Sequence, residues 1–228
     1  MLTQSLDTPV TSNRVSRVIP SQDPFCALTG YAGLVASEFC YGKDEEIYGE
    51  AEPAEYVYQV IGGAVRTYKL LSDGRRQIGA FHLPGDMFGL EAGVTHRLAA
   101  EAIIDTTVRL VKRRSLEHAA MTDAQVARKL WTMTAVELRH AEDHMLLLGR
   151  KSAMERVANF LLEMDRRLAV AGMMALPMSR RDIGDYLGLT LETISRTLSQ
   201  LRGQGVLGLS SARQIFLRNR DCLRAMDT

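Results

Sequence analysis

The chain has 228 residues, 46% hydrophobic and 24% charged, with a net charge of +1, enough length and apolar content for one large domain or two small ones around a substantial core. No run of about 18 apolar residues is present to cross a membrane, and the N-terminal MLTQSLDTPVTSNRVSR lacks the apolar middle of a signal peptide. A soluble, cytoplasmic protein is expected, and a membrane protein is excluded as a class. The small net charge hides a polarity, since residues 150–228 carry 13 Lys/Arg against 8 Asp/Glu while residues 1–149 carry 15 against 19. The basic end, where phosphates are more easily met, is the C-terminal one.

Residues 1–22, with Ser, Thr, Asn and Pro, are expected to form a weakly ordered tail. Residues 23–121 carry short β-like runs punctuated by glycine: EEIYGE, EYVYQVIGGAVRTYKLL, RRQIGAFHLPGDMFGLE and AAEAIIDTTVRLVKR. Gly62-Gly63 offers a tight hairpin turn, SDGRR at 72–76 a second, and PGD at 84–86 a third turn. Strands this short and evenly spaced predict an antiparallel double-sheet roll.

From about Thr122 the apolar period becomes helical. Ala127, Trp131, Thr134, Leu138, Ala141, Met145 and Leu148 recur at alternating intervals of four and three, a heptad-like seam on a helix covering residues 122–149. Val126, Leu130 and Met133 widen the stripe, so the helix has two faces to cover, one on its own domain and one on a twin. Homodimerisation through the seam is therefore expected, the competing reading being one broad core face in a monomer. GRKSA at 149–153 interrupts the pattern and predicts a hinge, after which Val157, Phe160, Leu161, Met164 and Leu168 give the next helix its inner face. AGMMALP reads as a link.

RRDIGDYLGLTLETISRTLSQLRGQG, residues 180–205, then sets two helices around one glycine. Ile183, Tyr186 and Leu187 form the inner side of the first, with Arg180, Arg181, Asp182 and Asp185 opposite. Gly188 ends it, Thr190 is the N-cap of the second, and Ile194, Leu198 and Leu201 face inward there. Outward lie Glu192, Ser195 and Arg196. Such a helix fits the major groove of B-DNA, where arginine donates a bidentate pair to guanine and glutamate accepts from cytosine N4. Glu192 and Arg196, four apart, either read one G·C pair together, or Glu192 orients the guanidinium that reads it; an ordinary surface ion pair is the bland alternative. Val206–Leu209 and Gln214–Leu217 predict a two-stranded wing whose turn brings Ser210, Ser211 and Arg213 near the phosphate backbone. The whole reads as an α+β chain ending, over residues 150–228, in a winged helix-turn-helix.

Enzyme and metal signatures are weak. HAEDH at 140–144 spaces two histidines as zinc peptidases do, but Ala141 stands where the catalytic glutamate belongs, so polar residues on the solvent side of the helix are expected instead. His82, His96 and His118 have no partners that suggest catalysis. Cys26, Cys40 and Cys222 lie far apart without a zinc spacing. Cys222, near several arginines, is either a redox-active thiolate or an incidental buried cysteine.

MSRRDIGDYLGLTLETISRTLSQLRGQGVL, the PGDMFG of the roll and the long helix between them together resemble the superfamily of the cyclic-AMP receptor protein and the fumarate-nitrate reductase regulator (Crp/Fnr), and most closely its FixK-type regulators. The resemblance covers nearly the whole chain. It implies a cyclic-nucleotide-binding-like β-roll, a long dimerisation helix and a winged helix-turn-helix, with E-x-x-S-R supplied by Glu192, Ser195 and Arg196. Leu191 stands where the cyclic-AMP receptor type carries a guanine-reading arginine, and leucine suits a thymine methyl. The DNA-contacting set so implied is Arg180, Thr190, Leu191, Glu192, Ser195, Arg196, Ser211 and Arg213, on a palindrome of TTGA, spacer and TCAA. The resemblance further implies an activator of low-oxygen respiration or nitrogen-metabolism genes that contacts RNA polymerase and needs no effector.

No cofactor is expected. The iron–sulfur regulators of that family need a closely spaced cysteine set, and only Cys26 and Cys40 precede the long helix. Cyclic-nucleotide binding in that family uses Gly-Glu and Arg-Ser pairs, where this chain has Gly89-Leu90 and Arg97-Leu98, so no cyclic AMP is expected. A ligand-gated regulator of the same fold, holding haem or another small molecule in the roll, is the rival reading.

Overall fold

The computed structural model describes residues 34–211 and 213–226; the expected tail and Cys26 lie outside them. Two four-stranded antiparallel sheets form the N-terminal lobe. One runs β1 (Ala36–Tyr41), β8 (Thr106–Lys112), β3 (Tyr56–Gly62), β6 (Met87–Phe88); the other runs β2 (Glu46–Tyr48), β7 (Ala99–Ala102), β4 (Val65–Leu70), β5 (Arg76–His82). This is the expected roll. SDGRR turns β4 into its partner β5, with Leu71 N bonded to Arg75 O at 2.8 Å, and PGD turns with Asp86 N on Leu83 O at 2.9 Å. The hairpin expected at Gly62-Gly63 does not form. β3 and β4 lie in different sheets, and the chain crosses between them there, because each strand finds a better partner far along the chain, β8 for β3 and β7 for β4.

The long helix begins one turn-break later than the apolar period suggested. A short helix α1 (Arg113–Thr122) precedes it, and Asp123, in extended conformation, caps the 27-residue α2 (Ala124–Arg150) by accepting from Gln125 N at 2.7 Å. The break expected in GRKSA falls on Lys151 and Ser152. Ser152 and Glu155 form a capping box that starts α3 (Ala153–Leu168). The guanidinium of Arg156 spans this corner, donating to the carbonyls of Leu148, Lys151 and Leu187, each at 2.9 Å.

The C-terminal part adds α4 (Arg180–Leu187), α5 (Leu191–Gly203), α6 (Arg220–Met226) and a small sheet. AGMMALP is not merely a link: β9 (Met173–Ala175) pairs with β11 (Gln214–Leu217), which pairs with β10 (Leu207–Leu209), so the wing is three-stranded rather than two-stranded. Its Met174 is fully buried, and that apolar anchor holds the strand.

One apolar core joins the lobes. Ile78, Phe81, Leu83 and Ile103 of the roll pack with Leu147 of α2, Phe160, Leu161 and Met164 of α3, and Ile183, Tyr186 and Leu187 of α4. The Phe81 ring lies 6.3 Å from that of Phe160 and 5.1 Å from that of Tyr186. Phe160→Ala is expected to cost about 3–5 kcal/mol, the range for emptying a buried aromatic site. Urea unfolding will show it, and because the core is shared the loss will appear in probes of both lobes.

Candidate nucleic-acid interface

Ser179 and Asp182 cap α4 reciprocally, and Gly188 ends it in the left-handed region at φ +63°. The turn then folds tightly back: Leu189 N bonds Gly184 O at 2.9 Å, and a Cβ on Gly184 would sit 2.6 Å from Leu189 O. Thr190 caps α5 as expected, accepting from Thr193 N at 3.2 Å. Ile194, Thr197, Leu198 and Leu201 are buried against the rest of the lobe. That burial fixes the roll of α5 about its axis, so Leu191, Glu192, Arg196, Ser199 and Gln200 are exposed together.

The eight residues expected at DNA fall into four places. Leu191, Glu192 and Arg196 stand on the outer face of α5, with no ion pair joining Glu192 to Arg196 among the described residues. Arg180 and Ser195, one on each helix, meet: Arg180 Nη1 donates to Ser195 Oγ at 3.4 Å, and both are half-buried. Thr190 at the cap and Arg213 on the wing line the same cleft, of about 900 Å³, between this lobe and the roll. Ser211 holds the wing turn, accepting from the backbone N–H groups of Arg213 at 3.3 Å and Gln214 at 3.1 Å.

On α2, Trp131, Leu138 and Met145 are 76%, 60% and 65% exposed, with Thr134 and Ala141 exposed between them and Ala127 and Leu148 half-buried at the ends. The opposite stripe is covered. Val126, Leu130 and Met133 pack against Val57, Met87, Val111 and Leu116, and Leu147 enters the shared core.

The family model of the cyclic nucleotide-binding domain matches residues 38–123, and that of the Crp-like helix-turn-helix domain matches residues 155–226. The chain is 42% identical to the nitrogen fixation regulation protein FixK of Azorhizobium caulinodans over 99% of this chain and 94% of that one. It is also 42% identical to FixK of Rhizobium meliloti over 82% and 85%. The structure of FixK2 from Bradyrhizobium japonicum is 82% identical and superposes with a TM-score of 0.84, covering 86% of this chain and 98% of that one. The chain is a FixK-type member of the Crp/Fnr family. It is a transcriptional regulator with a DNA-binding helix-turn-helix, and not an enzyme.

The roll matches the cyclic nucleotide-binding domain, and at Gly89-Leu90 it lacks the carboxylate that the family resemblance assigns to a nucleotide site. Leu90 packs into the core beneath α2 and offers no carboxylate to a ribose. A Cβ at Gly89 would stand 2.7 Å from the Tyr58 ring, so aromatic packing closes in on the pair. The rings of Tyr48, Tyr58, Phe88 and His96 fill this end of the roll, Tyr48 stacking on His96 at 3.6 Å. Glu91 accepts from Arg97 N at 3.1 Å. Cys40 and Cys222 are free and lie in different lobes; Cys222 is half-buried against the shared core. Among the described residues no three His, Cys, Asp or Glu side chains are grouped to hold a metal ion, and no helix is long and apolar enough to cross a membrane.

Two sequence expectations for this FixK-type chain need correcting. Asp182 does not face solvent but is buried, for reasons taken up below. His140 and His144 are half-buried rather than on the solvent side of the helix. They continue the stripe of Val126, Leu130, Met133 and Leu147, a register that turns them toward α3 and α4. His144 stacks on Tyr186 at 4.1 Å, and His140 Nε2 meets Glu163 at 3.3 Å. Burial and the neighbouring His140 charge press the His144 pKa down to about 4.

His140 titrates the other way, its pKa raised chiefly by the hydrogen bond to Glu163. Burial alone would push the Glu163 carboxyl up, yet the hydrogen bond and charge of His140, with Arg167, hold it below its usual value. Around His140 stand Glu137, Asp143 and His144 on α2, Glu163 and Arg167 on α3, Tyr186 on α4 and His82 on β5. The contribution from His140 is complete below its ordinary 6.5 and is lost as pH rises through its raised folded value; that from Glu163 is complete above 4.5 and is lost as pH falls through its depressed one. His140→Gln should therefore destabilise most between 4.5 and 6.5, and its denaturation midpoint should converge on that of the wild type toward alkaline pH.

Proposed function

We propose that this Crp/Fnr regulator binds, as a homodimer, a palindrome of TTGA, spacer and TCAA, each α5 entering one of two successive major grooves about 34 Å apart. Arg196 reads guanine through O6 and N7, Glu192 accepts from cytosine N4, Leu191 meets a thymine methyl, and Arg180, Thr190, Ser195, Ser211 and Arg213 set register on the phosphates. In this reading residues 23–121 are the sensor-derived roll, 122–149 the dimerisation helix through Ala127, Trp131, Thr134, Leu138, Ala141, Met145 and Leu148, and 150–228 the reading head. The protein acts in the cytoplasm, mainly as an activator contacting RNA polymerase, at genes of low-oxygen respiration or nitrogen metabolism, without cyclic AMP or another bound effector. The names of its FixK relatives support the nitrogen assignment. The observation that carries the reading is the exposure of Leu191, Glu192 and Arg196 on a helix whose other face is buried.

Footprinting the purified, effector-free protein on a TTGA-N6-TCAA duplex tests it. Protection of both half-sites at concentrations that leave a scrambled duplex unprotected is expected. Equal affinity for the two duplexes, or protection only after a ligand is added, overturns the proposal.

A further inference from the structure

Two arginines of the roll reach into the helix-turn-helix. Arg76 Nη2 donates to Asp182 Oδ1 at 2.6 Å and to Asp185 Oδ2 at 2.8 Å, while its Nε reaches Asp185 Oδ2 at 3.0 Å. Arg66 Nη1 donates to the same Asp182 Oδ1 at 3.2 Å, and its Nη2 is held by Asp44 at 3.1 Å and by Glu101. The side chains of Arg66 and Asp182 are 7% and 6% exposed. Asp182 divides its two oxygens: Oδ2 accepts from Ser179 N at 2.9 Å and Ser179 Oγ at 2.7 Å, closing the cap of α4, while Oδ1 belongs to the roll. Gln77 Nε2 adds a bond to Tyr186 O at 3.3 Å.

The apolar core between the lobes supplies attraction but little direction. Buried ion pairs contribute little net stability and are better attested as devices that fix one arrangement among several. We infer that Arg66 and Arg76, acting through Asp182 and Asp185, are positioning residues that set the orientation of the reading helix relative to the roll and α2, and so determine which half-site spacing the dimer accepts. With the clamp closed, Leu191, Glu192 and Arg196 are exposed, so this pose presents the reading face rather than hiding it. The roll thus acts as a jig for the reading head.

The inference rests on the palindrome reading above. The experiment compares wild type, Arg76→Gln, Arg76→Glu and Arg76→Lys on duplexes with N5, N6 and N7 spacers and on a single half-site, with thermal melting as the folding control. For wild type a marked preference for one spacer is expected. Arg76→Gln and Arg76→Glu should lose affinity for that duplex by about tenfold, within the usual range of coupling between sites, while the other spacers and the single half-site change little. Arg76→Lys, which keeps the charge, should retain most of the preference. Spacer preference unchanged in Arg76→Glu, a uniform loss on every duplex, or a gain in affinity for the preferred spacer overturns the clamp. Wild type that shows no preference for any palindrome defeats the palindrome reading instead.

Discussion

Arg196→Ala is expected to abolish specific binding while leaving non-specific binding largely intact. A bidentate contact to guanine is worth about 1–3 kcal/mol, and the proposed dimer loses it twice, so the matched palindrome should be bound about 30-fold to 2 × 10⁴-fold more weakly. The side chain is exposed and unpaired with Glu192, so its removal leaves no buried group unsatisfied in the free protein and should not move the melting temperature. Titrations of matched and scrambled duplexes at one salt concentration separate the terms, because phosphate contacts made elsewhere dominate the scrambled duplex. Equal losses on both would assign Arg196 to the phosphates and remove it from base reading.

Leu138→Arg is expected to leave a folded monomer. Leu138 is 60% exposed and central in the seam, so the protomer loses little packing of its own. In the proposed two-fold dimer the substitution sets two guanidinium groups against each other inside an apolar strip, and loss of such a central anchor costs about 2–4 kcal/mol of association. Sedimentation at micromolar concentration should show the monomer mass, and affinity for the palindrome should fall to that of a single half-site. A variant that still sediments as a dimer refutes the seam; one that unfolds would place Leu138 in the protomer's core, against its exposure here.

Whatever depends on local chemistry was legible in the sequence. Gly188 and the Thr190 hydroxyl mark the turn between α4 and α5 because a left-handed residue and a capping oxygen are needed at those two points. The short β-forming runs punctuated by glycine, with Val57, Val60 and Val65 among them, implied sheets, and these valines are fully buried there. What stayed hidden depends on partners remote in the chain. Nothing near Gly62-Gly63 says that β3 pairs with β8, about fifty residues on, rather than with its neighbour. Asp182 fits a capping box, and its burial follows only once Arg66 and Arg76 arrive from the other lobe. β9 is too short to show a period, and it forms because β11 offers an open edge. The histidines of α2 are the exception, since their register with Val126 and Leu147 was present to be read and their polarity obscured it.

At the corner between α2 and α3, the single guanidinium of Arg156 satisfies three carbonyls, from Leu148, Lys151 and Leu187. A swing of the DNA-binding end about this elbow carries Arg156 and Leu187 together and has to part their shared guanidinium from the Leu148 carbonyl at the end of α2, so the corner resists bending through a bond that ties the reading head to the long helix.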